Sequence, residues 1–175
     1  MALVKPVIFQ VAGYQDSGKT TLSLKLIEHL SASGLKIATV KHHGHGGKPE
    51  VNESKDSGRH IAAGAAVSLV EGEGRILIQA EQKQWTLLEE IEMLSFFKPD
   101  VILVEGYKNE KYPKAVILRD EGDLELLDKL PDIKVVFYRD TRLSKHLKDQ
   151  AIPAFDTSDV SGFAWLANYI SADFN

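Results

Sequence analysis

The chain contains no cysteine. That excludes disulfides, iron–sulfur clusters, cysteine-ligated zinc and a thiol nucleophile. Long apolar runs are missing as well. Val101–Val104 is typical of the longest, far below the ~20 residues that cross a bilayer, so a membrane is not an expected partner. Met1 to Gln10 lacks the basic start, apolar stretch and small-residue cleavage site of a secretory signal. Neither end carries a lipidation motif, and the cytoplasm is the expected location. There is no excess of positive charge: 21 Lys and Arg stand against 25 Asp and Glu, a net charge of −4. Nucleic-acid binding that relies on a basic surface is therefore not expected. Arginine is sparse, at Arg59, Arg75, Arg119, Arg139 and Arg142. That disfavours a small-molecule kinase, whose lid clamps the transferred phosphate with several arginines.

What remains is an ordinary globular composition, 43% hydrophobic and 26% charged over 175 residues. It fits a single domain spanning 1–175. Val7–Ala12 reads as a buried strand ending at Gly13. Thr20–Leu30 reads as a helix with Leu22, Leu26, Ile27 and Leu30 on one face, stopped by Ser33-Gly34. Lys36–Val40 reads as the next strand, completing a βαβ unit. His42–Ser57 is a long polar loop, and His60–Ala66 a short helix. Val67–Val70 and Arg75–Gln79, joined by Glu-Gly-Glu-Gly, signal a hairpin. Leu87–Phe97 is a helix with Leu87, Leu88, Ile91, Leu94 and Phe97 at core spacings, stopped by Pro99. Val101–Val104, Ala115–Leu118 and Val135–Tyr138 read as further strands, and Gly162–Ile170 as a C-terminal helix. The sum is an α/β chain with a mostly parallel central sheet and an added hairpin.

Between the first strand and the first helix lies Gly13-Tyr14-Gln15-Asp16-Ser17-Gly18-Lys19-Thr20, a match to the phosphate-binding pattern G-x-x-x-x-G-K-[ST] in its proper context. Its glycines let backbone N–H groups turn inward, and the helix N-terminus adds partial positive charge. Gly13, Asp16, Ser17, Gly18, Lys19, Thr20 and Thr21 are thus the expected nucleotide contacts. Lys19 reaches the β- and γ-phosphates, and Thr20 is a ligand for Mg²⁺. The Asp16 carboxylate itself suits solvent or a partner better than phosphate. A carboxylate must also face the magnesium, and Glu105 ends the apolar run Val101–Val104 where ligands bind. Asp56, carried by the long loop, is a second metal-side candidate. Asp100, at the start of that strand, points away.

Lys41 at the end of the second strand is a candidate anion contact. His42, His43 and His45 suit either Zn²⁺ or Ni²⁺, or an anionic substrate when protonated. Asp56 or Ser57 can cap the helix that follows and present Arg59 to a phosphate. For the base, Asp140 is positioned to accept from guanine N1 and N2 with Arg139 against its face, and Asp156 after Ile152–Phe155 is the alternative.

Four segments, in order and spacing, resemble the MobB family, the molybdopterin-guanine dinucleotide biosynthesis adaptor proteins. They are the phosphate loop through Thr20-Thr21-Leu22, Lys41-His42-His43, Lys55-Asp56-Ser57 with Arg59 leading into Ala63-Gly64-Ala65, and Val104-Glu105-Gly106-Tyr107-Lys108. The resemblance implies a P-loop NTPase-like three-layer fold, GTP and Mg²⁺ as ligands, weak GTP hydrolysis and a homodimer. It also implies a role beside the guanylyltransferase that attaches GMP to molybdopterin during molybdenum cofactor maturation. In this reading Lys19 and Glu105 are the catalytic pair. Relatives with an extra lysine early in the phosphate loop differ from this chain, which has Tyr14 and Gln15 there. No glutamine or arginine finger is evident in cis, so slow turnover is expected. A metal-insertion GTPase using the His42–His45 loop, a small-molecule kinase and a binding module without turnover are the competing readings.

Overall fold

The computed structural model describes residues 5–42, 47–49, 55–148 and 150–174. In chain order its strands are β1 (Val7–Gly13), β2 (Ile37–Lys41), β3 (Val67–Gly72), β4 (Arg75–Ala80), β5 (Val101–Glu105), β6 (Lys114–Leu118), β7 (Ile133–Tyr138) and β8 (Ala154–Asp156). Six of them form one parallel sheet in the order β2-β5-β1-β6-β7-β8, and β3 and β4 pair separately as an antiparallel hairpin. The expected α/β class is found. The sheet strands carry consecutive apolar residues because both of their faces are covered.

The helices are α1 (Lys19–Ala32), α2 (Asp56–Ala62), α3 (Leu87–Ser95), α4 (Glu125–Lys129), α5 (Ser144–Leu147) and α6 (Val160–Ser171). On one face Leu26 and Leu30 of α1 and Leu166 and Ile170 of α6 pack on Phe9, Val11, Leu103, Ile117 and Phe137. On the other, Leu87 and Ile91 of α3 meet Val40, Ile102 and Val104. Leu126 of α4 and Leu147 of α5 meet Val116, Leu118 and Val136 on that same face. The result is three layers.

Parallel neighbours need a crossover, and most here are helical. The exception is residues 106–113, which carry the chain from β5 past β1 to β6 without a helix. Polar side chains hold this segment. Gln10, fully buried on β1, donates from Nε2 to the carbonyls of Gly106 (3.2 Å) and Tyr107 (2.9 Å). The fully buried Lys114 donates from Nζ to the carbonyls of Glu110 (2.7 Å), Tyr112 (2.8 Å) and Pro131 (2.5 Å). A buried ammonium is tolerable only with its donors satisfied.

Several boundaries differ from the sequence reading. The helix expected at His60–Ala66 lies at Asp56–Ala62. The small residues after it form a turn, with Gly64 N–H bonding Ile61 O at 2.9 Å and Ala65 N–H bonding His60 O at 3.1 Å, that leads into β3. Lys55, not Asp56 or Ser57, is its N-cap, and the Lys55 side chain makes no capping bond. Helix α3 stops at Ser95 rather than Phe97, its last turns closing through Phe97 N–H to Leu94 O and Lys98 N–H to Ser95 O. Phe97 and Leu88, expected in the core, are 40% and 59% exposed. The short helices α4 and α5 were not expected. The hairpin is sharper than anticipated: Glu73 and Gly74 alone form its loop, both with positive φ (51° and 80°). That two-residue geometry matches the natural twist of paired strands.

Candidate functional site

Parallel α/β sheets place their ligand crevice beyond the carboxyl ends of the strands. Here a cleft of about 1170 Å³ opens there, lined by the whole Gly13–Leu22 segment together with Lys41, His42, Glu105, Lys108, Arg139 and others. Gly13 has φ +151° and Gly18 φ +102°, and Asp16 adopts φ +57°, which wraps the loop tightly around the helix start. Lys19 Nζ donates across the loop to the Tyr14 carbonyl at 2.5 Å. Burial pulls its ammonium below the usual lysine value, and the Glu105 carboxylate opposes that shift. Ser17 Oγ is buried beneath the loop without a hydrogen-bond partner among the described residues.

Glu105, Thr20 and Lys41 meet at one point. Thr20 Oγ1 donates to Glu105 Oε1 at 2.9 Å, and Lys41 Nζ lies 3.2 Å from that same oxygen and 3.3 Å from Thr20 Oγ1. A hydroxyl and a carboxylate at this spacing are the hard oxygen donors that Mg²⁺ takes. The ammonium already held between them shows that the pair draws in a cation, so these residues fit the metal expected of a phosphate loop.

The structure therefore brings Gly13, Asp16, Ser17, Gly18, Lys19, Thr20, Thr21, Lys41 and Glu105 to one cleft. It does not bring Asp140, Asp56 or Arg59 there. The Asp140 carboxylate caps the helical turn Thr141–Leu143 by accepting from Arg142 N–H (2.9 Å), and it also pairs with the Arg142 guanidinium, which holds it below the usual carboxylate range. It is engaged with its own turn rather than with the cleft. Asp156 is likewise engaged, by the Ser158 N–H (2.8 Å) and hydroxyl (2.6 Å). Asp56 and Arg59 pair with each other on α2 at 3.6 Å, both exposed. His42 lines the cleft with its ring 4.6 Å from that of Tyr107. His43 and His45 lie outside the described residues. Among the described residues no group of three or more His, Cys, Asp and Glu is arranged to hold a metal.

Arg119 escaped the sequence reading, and Arg139, expected against a base, has another contact. Arg119, directly after β6, donates to the Gln15 carbonyl (3.2 Å), and Arg139, directly after β7, donates to the Asp16 carbonyl (3.0 Å). Two adjacent strand ends thus hold the outer turn of the phosphate loop. The signal was an arginine immediately after an apolar strand, twice. Lys108 lies over the Tyr14 ring at 4.3 Å, and the Tyr14 hydroxyl donates to Glu125 of α4. Tyr107 donates to Glu90 at 2.9 Å, and burial, with that bond, pushes its hydroxyl up to about 12.

Residues 8–138 match the family described as MobB: Molybdopterin guanine dinucleotide synthesis protein B. The chain belongs to the MobB family. It is 41% identical over 161 residues to the Bacillus subtilis "Probable molybdopterin-guanine dinucleotide biosynthesis adapter protein", covering 91% of each chain. The crystal structure of Bacillus subtilis MobB superposes with a TM-score of 0.79 at 40% identity, over 91% of this chain and 95% of that one. A MobB homologue from Bacillus stearothermophilus matches with a TM-score of 0.74 at 30% identity, over 94% and 98%. The family match thus spans the phosphate loop, the Glu105 strand end and the sheet as far as β7.

Proposed function

We propose that this chain is a GTP-binding adapter in molybdopterin-guanine dinucleotide biosynthesis, with weak GTPase activity that depends on Mg²⁺. The observation that carries the reading is the convergence of Lys19, Thr20 and Glu105 on the phosphate loop at the carboxyl end of the sheet. The names of its relatives supply the pathway. The triphosphate would lie on the Gly13–Thr20 backbone with Lys19 against its terminal phosphates, and Thr20 and Glu105 would hold the metal. Bound there, Mg²⁺ would offset charge on the phosphate oxygens.

Weak turnover follows from what surrounds the cleft. Arg119 is paired with Asp123 and with the Gln15 carbonyl, and Arg139 donates to the Asp16 carbonyl. Neither is free to act as an arginine finger without breaking the brace on the loop. Faster hydrolysis would then need a second subunit or a partner. The partner of this reading is the molybdopterin guanylyltransferase in the cytoplasm, with molybdopterin or the molybdenum cofactor as the shared substrate. The acting form would be a homodimer. Without cysteine, the chain would meet that cofactor through phosphate, guanine and pterin contacts rather than by thiolate ligation.

Calorimetric titration with GTP and MgCl₂ tests the core of this. Lys19→Ala is expected to lose at least about 100-fold in affinity, since it removes charge-assisted bonds to phosphate. Unchanged affinity in that variant would mean that nucleotide does not bind on this loop.

A further inference from the structure

Strands β2 and β5 are adjacent and parallel, and Lys41 and Glu105 are register partners at their ends. Both side chains therefore leave the sheet side by side at the rim of the cleft. The Lys41 ammonium is not spread over solvent. It sits on the two oxygens that would ligate magnesium, 3.2 Å from Glu105 Oε1 and 3.3 Å from Thr20 Oγ1. We propose that Lys41 is the resident cation of the metal position, held there until a divalent ion arriving with the nucleotide displaces it, so that Lys41 sets how strongly nucleotide binding depends on metal. This rests on the nucleotide-site reading above.

Three observations support the exchange. First, the two oxygens are 2.9 Å apart and joined by their own hydrogen bond, so they form one cation position. An ion with bonds of about 2.1 Å to them would share these oxygens with the ammonium, and two cations on one pair repel each other. Second, both lysine contacts are at the long end of the hydrogen-bond range. Other ammonium–carboxylate pairs of the molecule are shorter, at 2.6 Å for Lys129–Glu125 and for Lys48–Glu81. The resident contact is thus a weak one to break. Third, the two partners differ in freedom. The Lys41 side chain is 62% exposed and the Glu105 side chain 13%. The backbone around Lys41 is fixed, with His42 N–H bonded to Glu105 O at 2.9 Å. Only the lysine side chain has room to move, and it moves into solvent.

The consequence is that metal-free nucleotide still meets a cation at this position. GTP affinity should be measured by calorimetry in MgCl₂ and in EDTA for the wild-type chain, Lys41→Met and Lys41→Arg. Removing one charge-assisted contact is expected to weaken EDTA binding by Lys41→Met about tenfold or more. In MgCl₂ that variant should bind at least as tightly as wild type, because its metal no longer competes with a lysine. Lys41→Arg should bring back binding in EDTA. Equal weakening of Lys41→Met in both buffers would identify a plain phosphate contact and overturn the proposal, as would no change in either. If wild type binds GTP in neither buffer, the nucleotide reading falls, and the proposal falls with it. Binding by wild type in either buffer keeps that reading apart from the fate of this one.

Discussion

A methyl group on Gly13 would lie 2.7 Å from the Ile117 carbonyl oxygen and 2.7 Å from Ser17 Oγ, at φ +151°. Both neighbours resist movement. The carbonyl belongs to a central strand, and the serine hydroxyl is fully buried under the loop. The first glycine of the phosphate motif is therefore required by packing against β6 as much as by the turn. Gly13→Ala is expected to cost about 1–3 kcal/mol, the usual penalty for overpacking. It should also weaken GTP binding, because relief of the clash moves the loop that carries Ser17 and Lys19. Urea unfolding together with a GTP titration checks both effects. A variant with unchanged midpoint and unchanged affinity would show that the loop is looser than its geometry indicates.

At the scale of elements, legibility followed length and periodicity. The long strands and α1 were readable because burial on both faces, or on one helical stripe, leaves an apolar pattern. Helices of five and four residues, α4 and α5, and the three-residue β8 are too short to show a period. The crossover at 106–113 was not legible either. It is held by Gln10 and Lys114, polar residues whose partners are distant in sequence. Lys19 and Thr20 were expected from a motif and Glu105 from an apolar strand ending in an acid, and all three line the cleft. Asp140 lies outside the cleft lining because an acid two residues before an arginine N–H satisfies itself locally as a cap.

The turn Glu121–Asp123 illustrates what such reading misses. Its buried Asp123 accepts from Arg119 N–H (2.8 Å), Nε (2.9 Å) and a terminal guanidinium nitrogen (2.8 Å), and Arg119 in turn holds the phosphate loop at Gln15. Burial raises the Asp123 pKa, but the Arg119 bonds outweigh it and the net shift is downward. A carboxylate depressed in the folded state stabilises it above the unfolded pKa of about 3.9. That stabilisation is lost as pH falls through the lower folded value. Stability measured by urea unfolding should therefore drop below about pH 4, and Asp123→Asn should shallow that acid limb. An identical limb in the variant would remove Asp123 from the account.

For the whole molecule the unanswered surface is the hairpin. Leu69 and Ile78 face one way and Val70 and Leu77 the other, paired directly across β3 and β4, and all four are exposed, Leu77 at 66%. A two-stranded ribbon is marginally stable alone, and α2 packs against this one without covering those side chains. A second copy of the chain, bringing the same apolar ribbon, would cover it and pair its free edge. No hairpin residue lines the cleft, so a homodimer formed through the ribbon would not draw on the cleft's residues. Leu77→Glu is expected to weaken self-association by about 2 kcal/mol, roughly thirtyfold, as for loss of a central apolar anchor. GTP affinity per chain should stay at the wild-type value. Sedimentation velocity over a concentration series, paired with a GTP titration, checks both. A wild-type chain that sediments as a monomer throughout, or a Leu77→Glu chain that dimerises as tightly as wild type, would place the subunit contact elsewhere and leave the ribbon for a different partner.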